Sequence, residues 1–481
     1  MSHLTASYRP HPQSTRPLIV SKMLVGTSLL ALAALAHDVL ALPSAAQSPS
    51  AIRIRKSTAT NTTGVFGPDS TIWAEDTPYF PVADYVAPPS NCEIDQVNIL
   101  ERHGARYPKK SPTKKIKSAL KKLQKVTITE TSMQFISNFT YDLGEDDLTP
   151  YGALQSYDAG VEAYQRYTSL VEANGLPFVR ASSSQRVVDS AGNWTAGFAA
   201  ASNSVYTPVL SVIISEDGND TLNDGSCAAL SDSDSPGDQE AAWIDIYTVN
   251  ITDYLNAGAP GAGLDNTDTQ YLIELCPFVT VANSERSEWC DLFSSLDAFP
   301  GFEYYGDLDK YYGTGWGQGD LGPAQGIGYT NELLARLTNT AVNDSTSTDT
   351  TLDSNPATFP LNRTFYADFT HDDLLIAVYS AMGLFPTPAL NYSSPDDQET
   401  SAWRVSEMTP FAARMVVERM SCSDESGSGD GEYVRVLVNQ AVQPMPSCGS
   451  DDNDLCALDA FVESQAFARN SGYGIWNECS D

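Results

Sequence analysis

Histidine is scarce in this chain: five occur in 481 residues, and only His103 and His371 lie beyond residue 37. Lysine is little commoner, with eleven. There is no Cys-x-x-Cys pair, and so few histidines leave no spacing typical of zinc ligands, so no metal or other cofactor is expected. Positive charge is in short supply overall, with 28 Lys and Arg against 61 Asp and Glu and a formal charge of -33. The general field of such a chain repels nucleic acid and anionic membrane surfaces, so neither is an expected partner. An anionic substrate needs a local basic patch, or a pH low enough to neutralise carboxylates. The apolar run Met23 to Ala36 is shorter than the roughly 20 residues a spanning helix requires, which argues against a stable membrane anchor. No internal repeat is visible. What remains, 42% hydrophobic and 19% charged, reads as a globular chain able to bury a large core.

Lys22 followed by the run Met23–Ala36 fits the positive n-region and apolar core of a secretory signal, with Ala36 and Ala46 both suited to cleavage. Residues 1–22 are unusual ahead of a signal, so translation from Met23 is a further reading. Residues 1–46 are therefore taken as leader and signal, and residues 47–90, rich in Ser, Thr and Pro, as an extended arm on the surface. Sequons at Asn61, Asn138, Asn193, Asn219, Asn250, Asn343, Asn362 and Asn391 point to a glycosylated, extracellular protein. The eight cysteines, Cys92, Cys227, Cys276, Cys290, Cys422, Cys448, Cys456 and Cys479, read as four disulfides formed in an oxidising compartment. Roughly a hundred pairings are open to eight cysteines.

The chemistry gathers at Val97-Asn98-Ile99-Leu100-Glu101-Arg102-His103-Gly104-Ala105-Arg106-Tyr107-Pro108. Its first residues read as the tail of a buried strand, Gly104 as the residue that permits a tight turn, and Pro108 as the end of strand pairing. A histidine between two arginines on a loop leaving a strand occupies the place where open α/β sheets bind ligands. Arg102 and Arg106 would hold a tetrahedral dianion, and His103 could attack it. The plain alternative is a surface loop that happens to carry these residues.

Three further stretches bear on that choice. Thr149-Pro150 opens a helix, with Thr149 as N-cap and Leu154, Tyr157, Val161, Tyr164 and Leu170 at helical spacing to about Val171. Arg186 follows a short strand and a run of serines able to cap a helix, although an arginine there can equally serve an acidic neighbour; Arg180, inside the strand, competes with it for the ligand. His371-Asp372 sits at a second strand-to-helix junction, where such a pair is commonly structural, yet His103 and His371 are the only histidines beyond residue 37 and both fall at strand ends. Eight lysines between Lys109 and Lys125 form either a solvated helix face or a lure for a polyanion.

The His103 segment resembles the signature of the histidine acid phosphatases in the form carried by fungal phytases. So do Asp146–Gly152, the Arg186 and His371-Asp372 segments, Leu321–Leu337 and the cysteine spacing, together spanning about Cys92 to Cys479. The resemblance implies an α/β histidine-phosphatase (phosphoglycerate mutase-like) fold: a mixed central sheet flanked by helices, with a smaller, mainly α-helical inserted domain and the site in the cleft between. The α/β core would comprise about 91–108, 175–215 and 355–481, and the helical cap about 109–174 and 216–354, within a domain of 91–481. It implies His103 as nucleophile, Asp372 as proton donor, Arg102, Arg106, Arg186 and His371 as phosphate ligands, and disulfides Cys92–Cys422, Cys227–Cys479, Cys276–Cys290 and Cys448–Cys456. The expected product is a secreted, monomeric acid phosphatase acting on a small phosphate monoester such as phytate with an acidic rate optimum. Fungal phytases carry a lysine pair near the segment that here reads Phe299–Tyr305, which has none, and Asp373 replaces their usual Asn. A broad-specificity acid phosphatase is therefore a rival reading. Other rivals are a mutase-like transferase, disfavoured by export, and a non-catalytic glycoprotein that binds inositol phosphates.

Overall fold

The computed structural model describes residues 65–230, 237–395, 401–423 and 431–480. The leader, the signal read at 23–36 and the sequon at Asn61 lie outside the described residues.

Strand β1 (Cys92–Arg102) is buried at every residue from Gln96 onward, because both of its faces are covered. Val97 and Ile99 meet Val179, Ala181, Phe365 and Phe369 on one side, while Leu100 meets Val417 and Val436 on the other, the period-two alternation of a central strand. Around it stand β2 (Phe178–Ser182), β3 (Leu210–Ile214), β4 (Phe365–Thr370), β5 (Arg414–Cys422), β6 (Gly431–Val438) and β7 (Ala441–Gln443), in the order β3-β2-β4-β1-β5-β6-β7. β3, β2, β4 and β1 run parallel, whereas β5, β6 and β7 complete the sheet antiparallel. Four parallel strands therefore end on one edge, at Arg102, Ser182, Ile214 and Thr370. That edge is where polar loops can gather without disturbing the core.

The helices used below are α1 (Lys110–Gln124), α2 (Pro150–Asn174), α3 (Gln185–Ala201), α4 (Leu275–Asn283), α5 (Phe299–Gly313), α6 (Ile327–Thr338) and α7 (Asp372–Ala381). α2 and α3 cover one face of the sheet, with Tyr167, Trp194 and Phe198 against Phe365. α6 and α7 cover the other through Leu333, Leu374 and Tyr379. α1, α4 and α5 belong to a separate helical core around Trp73, Ile116, Leu123, Trp289 and Phe299. Two expectations are corrected here. α2, counted with the cap, lies on the sheet, since its apolar stripe of Ala159, Ala163, Tyr167 and Leu170 faces β1 and β4. The end of the 47–90 arm does not lie on the surface: Phe66 and Trp73 are fully buried in the helical core, and Pro78 bridges to Phe411.

The loop after β1 is pinned by the start of α2. Thr149 caps that helix by accepting from the Gly152 amide at 2.9 Å, and its hydroxyl and its amide both donate to the Ala105 carbonyl, at 2.9 and 2.8 Å. The two backbones come so close that a Cβ on Gly104 would lie 2.2 Å from the Gly152 carbonyl oxygen, and one on Gly152 would lie 2.0 Å from that of Ala105. Gly104 has no positive φ. The residue is required for close approach, not for a turn. Disulfides join Cys92 to Cys422, Cys227 to Cys479, Cys276 to Cys290 and Cys448 to Cys456, the first tying β1 to β5. No helix among the described residues is long and apolar enough to cross a membrane.

Gly152→Ala should push the β1 loop off the α2 start and destabilise the fold by about 1–3 kcal/mol, as overpacking commonly does. Equilibrium denaturant unfolding with the disulfides intact checks this, and an unchanged midpoint would show that the loop is free to move.

Candidate active site

Arg102, the last residue of β1, has no exposed surface. Its Nη1 donates to the carbonyls of Glu75 and, at 2.7 Å, Thr409; its Nη2 lies 3.2 Å from Asp372 Oδ2; and its guanidinium stands 4.6 Å from the Phe411 ring centre. His103 follows, fixed through its amide to the Thr370 carbonyl and through its own carbonyl to the Ala412 amide, each at 3.0 Å. Its Nδ1 lies 2.8 Å from the Gly104 carbonyl. A carbonyl only accepts, so Nδ1 carries the hydrogen and Nε2 keeps a free lone pair. Burial, reinforced by the charges of Arg186, Arg102, His371 and Arg106, pushes this imidazole well below the ordinary histidine range. The ring therefore stays neutral in acid.

The ends of β2, β3 and β4 supply the facing wall. Arg186, in the first turn of α3, reaches His371 Nδ1 with its Nη2 at 3.2 Å, and His371 Nε2 lies 3.1 Å from Glu216 Oε1. A guanidinium only donates, so in this arrangement Nδ1 accepts and Nε2–H points to Glu216. The imidazoles of His103 and His371 are 5.7 Å apart between ring centres. Residues 268 positions apart thus share one cleft, as the reading of the two histidines requires. Burial would raise the Glu216 carboxyl, but hydrogen bonds from His371, Ser182 and Ser184 and the His371 charge bring it down to about 2. The serines expected to cap α3 do something else: Ser182 and Ser184 hydroxyls donate to Glu216, and no side chain caps that helix.

Asp372 opens α7 beside Arg102. Burial acts to raise its carboxyl, and Arg102, Lys310, Lys109 and Arg106 outweigh it, holding it well below the usual carboxylate range. Lys310 on α5 lies 3.1 Å from Asp372, 2.8 Å from Asp373 and 3.1 Å from Asp309. Glu216 and Lys310 escaped the sequence reading. Lys310 left one trace, as the single lysine after Lys125, on the same helix as the lysine-free Phe299–Tyr305. Within the lysine run, α1 buries Ile116, Leu120 and Leu123 and turns most of its lysines to solvent, while Lys109, just before it, acts on Asp372. Arg180 is no ligand candidate, being bound bidentately to Asp368 at 2.8 and 3.0 Å and to Glu332.

The cleft has donors to spare. Nε of Arg102, Nε of Arg106 and Nε of Arg186 are buried with no hydrogen bond or ion pair among the described residues, and Nη2 of Arg102 has only its ion pair with Asp372. Buried donors are nearly always satisfied in folded proteins, so one free Nε on each of three arginines around one bare imidazole nitrogen defines a place for a multivalent oxyanion. Among the described residues, no group of three or more His, Cys, Asp or Glu is arranged to hold a metal.

Residues 93–439 match the histidine phosphatase superfamily (branch 2). Phytase A of Aspergillus oryzae is 39% identical over 430 residues, and Phytase A of Emericella nidulans 40% over 428; each comparison covers 85% of this chain and 90% of the relative. Among solved structures, a phytase from D. castellii superposes with a TM-score of 0.66 at 22% identity, covering 86% of this chain and 88% of that one. Bifidobacterium longum multiple inositol polyphosphate phosphatase in complex with inositol hexasulfate gives 0.61 at 15% identity, covering 83% and 98%. These two structures carry the fold alone.

Inorganic phosphate is expected to fill the cleft. At about a hundredfold excess over its dissociation constant it should stabilise the protein by about 2.7 kcal/mol, and a thermal melt will show this as a raised midpoint. Arg106→Ala should remove most of that shift, whereas an equal shift in the variant would place the anion elsewhere.

Proposed function

The chain belongs to the histidine phosphatase superfamily, branch 2, and is a phosphoric monoester hydrolase; from that premise we propose that His103 takes the phosphoryl group from the ester. Its bare Nε2 attacks phosphorus as the bond to the alcohol oxygen breaks, and Arg102, Arg106 and Arg186 hold the three non-bridging oxygens. Their three unpartnered buried Nε atoms are the observation that carries this reading. Asp372 gives the leaving oxygen its proton and, as a carboxylate, then draws a proton from the water that cleaves the P–N bond, releasing phosphate and restoring His103.

The charges around Asp372 keep it ionised in the empty cleft, so its proton has to come with the substrate. Below the second phosphate ionisation, near pH 6, a monoester arrives as a monoanion with a proton to hand over, and its charge relieves the arginines that held the aspartate down. His103 stays unprotonated well below pH 6.5. Activity therefore rises as pH falls through about 6 and fails only where His103 itself protonates, an acidic optimum. His371 is a further phosphate ligand in this scheme, held at the cleft between Arg186 and Glu216.

Relatives named phytases support phytate as a substrate, and Lys109 beside the cleft suits a polyanion. A broad monoester range is the second reading, favoured by the three carboxylates that surround Lys310. Export as a glycoprotein accords with the disulfides and with the exposed sequon asparagines Asn138, Asn219, Asn250, Asn343, Asn362 and Asn391.

Brief exposure to substrate at acid pH, followed by peptide mapping, should place the phosphoryl label on His103; label on any other residue overturns the assignment. His103→Ala should lose at least about 10³-fold in kcat, whereas wild-type protein that binds inositol phosphates without turnover would be a binding glycoprotein. Asp372→Asn should slow alkyl phosphates by about 10²–10⁴ and aryl phosphates much less, because a phenolate leaves without help. Equal slowing of both would remove Asp372 from the protonation step.

A further inference from the structure

In-line displacement places nucleophile and departing alcohol on opposite sides of phosphorus. The two sides of this cleft are charged differently. The groups acting on His103 are all basic: Arg186, Arg102, His371 and Arg106. On the Asp372 side, where the alcohol must leave, the basic Arg102, Lys310, Lys109 and Arg106 are interleaved with the carboxylates Glu75, Asp76 and Asp309. We infer that Glu75 and Asp76, backed by Asp309, form a charge filter on the leaving-group side that selects monoesters of uncharged or amino alcohols over alcohols bearing further phosphates. This deepens the phosphatase reading and rests on it.

Asp76 is 4% exposed, and among the described residues its carboxylate has no hydrogen bond or ion pair, although it faces Arg106, Arg102, Asp372 and Lys310. Glu75 Oε2 is likewise buried without a hydrogen-bond partner, facing Lys310, Asp309 and Asp372. Glu274, at the start of α4, stands behind both. Carboxylates that existed only to neutralise the arginines would close to contact with them, as Asp372 does at 3.2 Å. Glu75 is set in place from two directions. Its carbonyl accepts from Arg102, and its Oε2 occupies the space over Gly306, where a Cβ would come within 2.8 Å. Lys310 compensates Glu75 only in part, since Asp309, Asp372 and Asp373 already share it. A second phosphate on the departing alcohol would meet two unpaired carboxylates in a poorly solvated wall. An ammonium there would supply the partner they lack.

The filter strengthens as pH rises. Burial lifts Glu75 to about 8, with Lys310 opposing and Asp76, Asp309 and Asp372 assisting. Burial lifts Asp76 to about 6 against Arg106, Arg102 and Lys310, with Asp372 assisting. Glu274, Tyr305 and Asp307 also face Glu75. Raised carboxyls are neutral in acid and become charged as pH climbs through those values. Phytate is thus admitted in acid and turned away towards neutrality, while amino-alcohol esters gain.

The test compares kcat/KM for phytate, glycerol 2-phosphate and 2-aminoethyl phosphate at about pH 4 and about pH 7, in wild type, Glu75→Gln and Asp76→Asn. In wild type the phytate to glycerol 2-phosphate ratio should fall at least about tenfold between the two pH values, and the aminoethyl to glycerol ratio should rise. Both variants should flatten these changes, a control for the substrates' own ionisation. Asp309→Asn, at a side chain that is 40% exposed, should act in the same direction and keeps the test open if the buried variants fail to fold. Ratios that the substitutions leave unchanged, with glycerol 2-phosphate still turned over, overturn the filter alone. No turnover of any ester by wild type overturns the phosphatase reading and the filter with it.

Discussion

The structure depends on one buried cation. Arg102 has lost all contact with solvent yet cannot lose its charge, so the chain must assemble partners around it. They come from three distant stretches: the Glu75 carbonyl, the Asp372 carboxylate, and the Thr409 carbonyl with the Phe411 ring. Meeting that demand brings the N-terminal segment, the start of α7 and the run before β5 to the end of β1. Removing one partner from a buried charge commonly destabilises by about 3–5 kcal/mol, so the site and the fold around it stand or fall together.

The same field has opposite consequences for the two groups that the proposed mechanism uses to move protons and phosphorus. Positive charge makes protonation unfavourable for any neighbour. For His103 this is what nucleophilic attack in acid requires, since the imidazole stays neutral where a free histidine would be blocked. For Asp372 it removes the proton that a general acid must hold. The conflict disappears once the ligand is counted as part of the electrostatics, because a phosphate monoanion brings both a proton and the negative charge that lets Asp372 keep it. In the proposed mechanism the empty enzyme is poised for attack, and the substrate completes the acid.

What could be read from the sequence was local. A strand leading into Arg102-His103, the Thr149 cap with Pro150, and His371 at a strand-to-helix junction all follow from residues adjacent in the chain. Gly104 was recognised for the wrong reason: its need arises from the Gly152 backbone, nearly fifty residues on, which no local pattern announces. Glu216, Lys310, Glu75 and Asp76 stayed hidden because they lie in an acidic loop, a helix without a polar signature, and an irregular segment that looked like surface. Trp73 was the overlooked sign in that last case, since a tryptophan beside two acids needs somewhere to be buried.

Arg180 and Arg186 show what separates a structural arginine from one available to a ligand. They are six residues apart, on β2 and in the first turn of α3, and both sit near carboxylates. Arg180 stands opposite Asp368 in the β2–β4 register, and Asp368 also takes Arg336 from α6 at 2.6 Å, so the pair braces the two strands to the helix that covers them. With Glu332 as well, Arg180 has its charge balanced and its donors occupied. Arg186 reaches only an imidazole, and its Nε has no partner among the described residues. Charge and position along the chain do not distinguish the two. The deficit of acceptors does, and it is the same deficit that Arg102 and Arg106 show around His103.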